Sequence, residues 1–293
     1  MQLFVNDLTV IDFSYLCPQR GMVGESWIVD IVLDGSLNEQ SMILDFGRVK
    51  KQIKRIIDGA VDHKLVIPTE HPFTQVTHHD DGNSYWVDFM RPENRSIHLF
   101  CPADAYAFID AAEVTMGSVT EYLRAVIKRE LPDNVDGLEL LLRAEEIHGA
   151  FYHYTHGLKK HDGNCQRIAH GHRSRLYIAI DGVRSPELET EWAENWRDIY
   201  LGSAEDVVPL EHTIRSPAAQ HISGRTHVSY SYLADQGLFE LHVPHSENYI
   251  IPTDSTVECI AEYLATTVKQ QVPNASVQVT AFEGVGKGAI SHA

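Results

Sequence analysis

Residues Gly171–Gly182 read GHRSRLYIAIDG and residues Gly24–Gly35 read GESWIVDIVLDG, and the two lie over one another without a gap. Each reads as a strand running into an Asp-Gly turn. The correspondence continues outward. Glu121-Tyr122-Leu123 with Ile127-Lys128, then Leu131-Pro132, matches Glu262-Tyr263-Leu264 with Val268-Lys269, then Val272-Pro273. Both are amphipathic helices closed by proline. Ser118-x-x-Glu121 and Ser255-x-x-Glu258 are capping boxes that give these helices a start signal. An apolar strand follows each helix, Leu138–Leu142 and Val277–Phe282, ending near Glu146 and Glu283. An earlier helix is expected over Asp45–Asp58, with Phe46, Val49, Ile53, Ile56 and Ile57 on one side, and a shorter counterpart over Trp192–Tyr200. Each half therefore reads strand, strand, helix, helix, strand, and the chain divides into residues 1–147 and 148–293. Pro68–Pro102 reads as an insertion in the first half.

The chemistry concentrates in Tyr152–Arg175, YHYTHGLKKHDGNCQRIAHGHRSR. In a strand, residues i and i+2 share a face, so His170 and His172 aim two imidazoles at one point. Gly171 between them admits another backbone or a ligand. A third imidazole, His156, on a neighbouring strand would complete a three-histidine zinc site with its fourth position open. With 17 histidines in the chain, a His-x-His pair also arises by chance, and surface or hydrogen-bonded histidines are the alternative reading. In the overlay His170 and His172 fall on Val23 and Glu25, with Ser14 nearest to His156. By this scheme only the C-terminal half binds metal.

A net charge of −17 argues against binding nucleic acid or an anionic membrane through the bulk field. Against that background Lys159, Lys160, Arg167, Arg173 and Arg175 form a basic island suited to an anionic, phosphorylated small molecule, or simply a solvated loop. No leader pattern is read at Met1–Asp12 and no apolar run approaches bilayer length. Cys17, Cys101, Cys165 and Cys259 show no disulfide framework, so reduced thiols and a cytoplasmic protein are expected.

These residues resemble the 6-pyruvoyltetrahydropterin synthase and 6-carboxytetrahydropterin synthase family of the tunnelling fold. The C-terminal half shows Tyr152-x-x-x-His156-Gly157-Leu158, Cys165, His170-Gly171-His172, Asp198, Leu210-Glu211-His212, Pro252-Thr253 and Glu283. The N-terminal half shows Leu44-Asp45-Phe46-Gly47, Val61-Asp62-His63-Lys64-Leu65 and Glu146. The resemblance implies an α+β fold of two tandem tunnelling-fold units, each an antiparallel sheet with helices on one face, assembling into a homo-oligomer. It implies zinc on His156, His170 and His172, a proton-transfer role for Cys165, and Glu283 as the anchor of the pterin's amino-pyrimidine edge. An Asp-His pair completes the family's proton relay, and two candidates exist: Asp62-His63 in the half without the triad, or Glu211-His212. Cys165 stands five residues before His170 where the family has four, and Glu211 replaces the family's aspartate.

The function so implied is a zinc-dependent lyase acting on 7,8-dihydroneopterin triphosphate or a related dihydropterin. The activity it most resembles is that of 6-carboxytetrahydropterin synthase, on the queuosine (7-deazaguanine) route. The alternatives are 6-pyruvoyltetrahydropterin synthase activity, or a non-catalytic zinc-containing protein that binds a pterin or purine.

Overall fold

The structure is a computed structural model that describes residues 1–293, the side chains of Arg48 and Val49 excepted. That exception leaves the expected apolar role of Val49 outside the described residues.

In the N-terminal half, β1 (Gln2–Cys17) and β2 (Gly21–Gly35) form one long hairpin, paired from Gln2 with Asp34 to Cys17 with Gly21. There follow α1 (Phe46–Arg48), a π turn (Val49–Ile53), α2 (Lys54–Val61), β3 (Leu65–Pro68), β4 (Thr74–His78), β5 (Ser84–Phe89), β6 (Ile97–Pro102), β7 (Tyr106–Ile109), α3 (Met116–Lys128) and β8 (Val135–Ala144). The sheet order is β7-β3-β1-β2-β8. Its centre is antiparallel, while β3 joins β1, and β7 joins β3, in parallel. Helices α2 and α3 cover one face. Ile57 and Val61, and Val119, Leu123 and Ile127, recur every four residues and pack on Val29, Ile31 and Leu33 of β2.

The C-terminal half repeats this order: β9 (Phe151–His156), β10 (His170–Ile180), β11 (Val183–Arg184), α4 (Pro186–Asn195), β12 (Ile199–Ser203), β13 (His227–Ala234), β14 (Gly237–Pro244), β15 (Asn248–Ile251), α5 (Val257–Gln271), β16 (Val277–Phe282) and β17 (Gly288–His292). Its sheet runs β15-β12-β9-β10-β16-β17, the first five strands matching those of the other half one for one. Tyr152, Trp192 and Trp196 form an aromatic wedge beneath α4. Among the described residues no helix is long and apolar enough to cross a membrane.

Several local expectations shift. The first helical stretch runs from Phe46 to Val61 through a π turn. The counterpart expected over Trp192–Tyr200 starts earlier, because Pro186 at the first turn has its φ preset for a helix. Thr115, with Ser118 at the third position, caps α3, and Thr256 caps α5, so neither expected box is used. The Asp-Gly turn forms at Asp181-Gly182, both at positive φ, but Asp34-Gly35 stays within β2.

The largest departure concerns Pro68–Pro102. Each half inserts a hairpin at the same point, β5-β6 and β13-β14, and the two pair through β6 and β14. The resulting sheet, β13-β14-β6-β5-β4, belongs to both halves and has its own core around Val87, Phe89, Leu99, Tyr230, Phe239 and Leu241.

An approximate twofold relates the halves. Ser14 faces Gly24 and Leu65 as Thr155 faces Gly171 and Tyr200. The hydroxyls of Ser14 and Thr155 lie 2.7 Å apart where the sheets meet. A Cβ on Gly24 would stand 1.9 Å from the Tyr154 carbonyl oxygen, and one on Gly171 2.5 Å from Ser14 Oγ. What glycine admits at position 171 is therefore the neighbouring strand's Tyr154 carbonyl together with the other half of the chain. The same register puts Tyr15, rather than Ser14, in the place of His156: Tyr15 faces Val23 as His156 faces His170.

Candidate metal centre between the halves

His156 and His170 are direct cross-strand partners on β9 and β10, and His172 follows two residues along the same face. All three are buried, and their coordinating nitrogens lie within 4.8 Å of one another. His156 Nε2 and His172 Nε2 are 3.2 Å apart. Nδ1 of His156 lies 2.9 Å from the Ser255 carbonyl oxygen, and Nδ1 of His170 lies 2.9 Å from that of Arg167. A carbonyl only accepts, so each Nδ1 carries the hydrogen and each Nε2 keeps a lone pair. Burial and the neighbouring imidazoles push His156 and His170 well below the ordinary histidine pKa. Three imidazoles converging in a dry site, two of them neutral and tethered from behind, fit a zinc ion.

The N-terminal half closes over this triad. Between α2 and β3 the chain turns through His63, at a left-handed φ of 54°. The turn is clasped by β1: His63 N–H donates to Asp12 O (2.7 Å), and Asp12 N–H donates to Asp62 Oδ1 (2.8 Å). Asp62 Oδ2 sits 2.6 Å from His63 Nδ1. The His63 ring is then 5.0 Å from that of His170 and 6.5 Å from that of His172, centre to centre. Cys165 enters from the turn Gly163–Gln166, its sulfur within 4.8 Å of the His63 and His170 nitrogens. Burial works against charging His63, but hydrogen bonds and charge from Asp62 and Cys165 prevail and raise its pKa to about 10. His63 is thus a held imidazolium, whereas His156 and His170 are neutral.

Glu283, just past β16, puts Oε1 3.9 Å from His172 Nε2. Lys287 Nζ bridges Glu283 Oε2 (3.6 Å) and Asp12 Oδ2 (3.2 Å). Burial opposes ionisation of Asp12, yet His172, Lys287 and Ser26 hold its carboxyl far below the usual range. The site is graded: a fully buried triad, with half-buried Cys165, His63 and Glu283 and the more exposed Lys287 at its mouth.

Glu211 and His212 are not brought to this site. They lie on an exposed turn, Leu210–His212, and Glu211 lines a separate cleft with Ile222, His227 and His245. The positional counterpart of Asp62-His63 is Arg197-Asp198. Asp198 also has positive φ (57°), and its N–H donates to the His153 carbonyl of β9. Glu146 is exposed beside His148. The basic island is largely engaged locally: Lys159 with Glu205 and Asp206, Lys160 with Glu205 and Asp254, Arg175 with Glu145. Sequence reasoning missed Asp12, Lys287 and Ser255. Ser255 read as a helix cap, and nothing marked Asp12 within a long strand.

On the opposite face of the twofold, Tyr15, Val23 and Glu25 stand where the triad would be. Arg20 grips Asp198 through Nε (2.9 Å) and Nη2 (2.5 Å), and its Nη1 lies 3.4 Å from the Tyr15 hydroxyl. A cavity of about 820 Å³ adjoins this face along Phe151, His153, Arg197 and Asp198 and does not touch the triad.

Comparison with known proteins adds the family. No curated protein sequence matches this chain. Solved structures similar to it include a catalytic-residue mutant of Plasmodium vivax 6-pyruvoyltetrahydropterin synthase, at 14% identity and a TM-score of 0.39, over 49% of this chain and 90% of that one. They also include the Plasmodium vivax enzyme itself (14%, 0.37, 49% and 97%) and that of Plasmodium falciparum (11%, 0.37, 49% and 97%). The family model for 6-pyruvoyl tetrahydropterin synthase matches twice, over residues 17–155 and 147–291. Two consecutive matches spanning nearly the whole length, on a fold of two like halves, make this chain a tandemly duplicated member of the 6-pyruvoyl tetrahydropterin synthase family.

Proposed function

We propose that the protein is a zinc-dependent lyase of the tetrahydropterin synthase type, acting on 7,8-dihydroneopterin triphosphate or a related dihydropterin. The product is that of a 6-carboxytetrahydropterin synthase, on the route to 7-deazaguanines. The observation that carries this reading is the meeting of Asp62-His63 from one half with Cys165 and the histidine triad of the other. A pterin-binding protein without turnover has no need of a thiol and a carboxylate-held imidazole side by side at the mouth of a buried triad.

His156, His170 and His172 hold the zinc, which when bound polarises the oxygens of the substrate's side chain as a Lewis acid. The remaining work belongs to the chain. Glu283 accepts hydrogen bonds from the amino-pyrimidine edge and so fixes the ring relative to the triad. Cys165 takes a proton from a side-chain carbon as a thiolate. His63, kept protonated by Asp62, returns a proton on the neighbouring face. Asp62 holds the His63 ring and is itself held by the Asp12 amide, so the pair keeps its position without substrate.

The test is incubation of zinc-loaded protein with 7,8-dihydroneopterin triphosphate, with products identified by mass. A 6-carboxytetrahydropterin is the expected product, and a 6-pyruvoyl product would assign the sister activity. Unchanged substrate in the presence of bound zinc would leave a binding protein.

A further inference from the structure

Two of the triad histidines are hydrogen-bonded from behind, and the third is not. His156 and His170 are held from behind by backbone carbonyls of their own half, Ser255 and Arg167. His172 has no such partner in the C-terminal half. Its Nδ1 is buried, and the nearest acceptor is Oδ1 of Asp12, 3.2 Å away on β1 of the other half. The approach lies off the line of a good hydrogen bond, but the charge is close and shielded from solvent. That oxygen also accepts from Ser26 Oγ (2.5 Å), while Oδ2 faces Lys287. A buried carboxylate is costly unless it is engaged on every side, and these three groups engage it. The carboxylate is therefore fixed in orientation before any metal arrives.

We infer that Asp12 is a positioning residue for the metal centre: the N-terminal half, which carries none of the three imidazoles, supplies the anionic partner that orients His172 and strengthens it as a ligand. A ligating imidazole that faces a carboxylate through its remote nitrogen is more basic and less free to rotate than one facing solvent. The same residue ties together the rest of the site. Its backbone clasps Asp62 and His63 while its side chain backs His172, so residue 12 sets the distance between the proton relay and the triad. On the opposite face the equivalent residues are exchanged, with His153 at the place of Asp12 and Glu25 at that of His172; His153 Nδ1 lies 2.7 Å from the Gly24 carbonyl oxygen and 3.7 Å from Glu25 Oε2. A carboxylate–imidazole pair persists on both faces, and only on one does the imidazole point at the triad.

This inference rests on the triad being the zinc site, and the experiment separates the two. Zinc affinity is measured by competition with a chromophoric chelator for the unmutated protein, Asp12→Asn, Asp12→Ala and Ser26→Ala, with the thermal unfolding of each metal-free protein and the visible spectrum of each cobalt(II)-loaded one. Asp12→Asn keeps the size and the backbone clasp but removes the charge. It should weaken zinc binding about tenfold or more, and shift the cobalt spectrum, with little change in metal-free unfolding. Ser26→Ala, which frees the carboxylate to turn, should weaken zinc binding less and in the same direction. If Asp12→Ala fails to fold, the asparagine and Ser26 variants carry the test. Tight zinc in the unmutated protein with unchanged affinity and spectrum in folded Asp12→Asn would overturn the role of Asp12 alone. No zinc in the unmutated protein would overturn the metal reading itself.

Discussion

On one face of the approximate twofold, His156, His170 and His172 converge beneath His63 and Cys165. On the other, Tyr15, Val23 and Glu25 occupy the same strand positions beneath Asp198 and Arg20. The backbones that hold the two sets are alike: paired long strands, a parallel third strand, and a left-handed residue whose amide clasps the first strand. The chemistry differs because side chains at shared positions have diverged. Where one face gathers three imidazoles around a common point, the other places a fixed guanidinium against a carboxylate. The first therefore fits a cation from solution, while the second carries its own. The comparison also shows why the N-terminal half has not become mere scaffold. It has no triad, yet it contributes Asp12, Asp62 and His63 to the face that has one.

The sharpest way to break this contrast is to count metal. Purified protein should carry about one zinc per chain, falling towards zero when His170 and His172 are both replaced by alanine. Two equivalents per chain, or unchanged content in the double variant, would mean that the Arg20 face binds metal after all. Next in size is the thiol. Cys165→Ala should retain zinc and fold but lose turnover by about a hundredfold or more. Cys17→Ala, Cys101→Ala and Cys259→Ala should stay active, since none of these thiols lies in the metal-ligand cluster that holds Cys165. Full activity in Cys165→Ala would move proton transfer elsewhere.

A third comparison sets the halves against each other directly. His63→Ala should cost more turnover than His212→Ala, because His63 sits beside the triad and His212 on an exposed turn. About tenfold or more is expected for His63, the usual contribution of a placed acid or base, and little change for His212. A dead His212→Ala beside a normal His63→Ala would return the relay to the C-terminal half.

Much of this was legible in the residues, unevenly. The strand period of two puts His170 and His172 on one face whatever the tertiary fold, so that pair could be read from spacing, while the place of His156 depends on the pairing of β9 with β10. The duplication could be read because apolar strands and helices recur in order. The counterpart of Asp62-His63 could not: Arg197-Asp198 shares no residue type with it, and the similar letters of Glu211-His212 drew the match to the wrong turn. Only the clasp of the left-handed residue on the first strand, a backbone feature, reveals the equivalence. The shared hairpin sheet was hidden for another reason. Pairing of β6 with β14 joins segments nearly half the chain apart, and Pro68–Pro102 alone reads as an unmatched insertion.

The change with the smallest effect on the metal centre tests the opposite face by itself. Glu25 stands where His172 stands, is buried, and gains only partial compensation from the Ser26 amide, Arg173 and Arg20. Burial pushes its pKa up to about 7. In the unfolded chain a glutamate titrates near 4.3. Between those values the folded protein holds a proton that the unfolded chain has released, so stability falls as pH rises from about 4.3 to 7 and stays lower above it. Glu25→Gln keeps an acceptor for the Ser26 amide and cannot ionise. Its melting temperature should equal that of the unmutated protein near pH 4.5 and exceed it increasingly up to pH 7. The gain should plateau at roughly 3–4 kcal/mol, with zinc content unchanged. A variant less stable than the parent at pH 8 would show that Arg20 and Arg173 more than offset the burial of Glu25. The face opposite the triad would then be a satisfied charge network in its own right, rather than a former site still bearing a desolvated carboxylate.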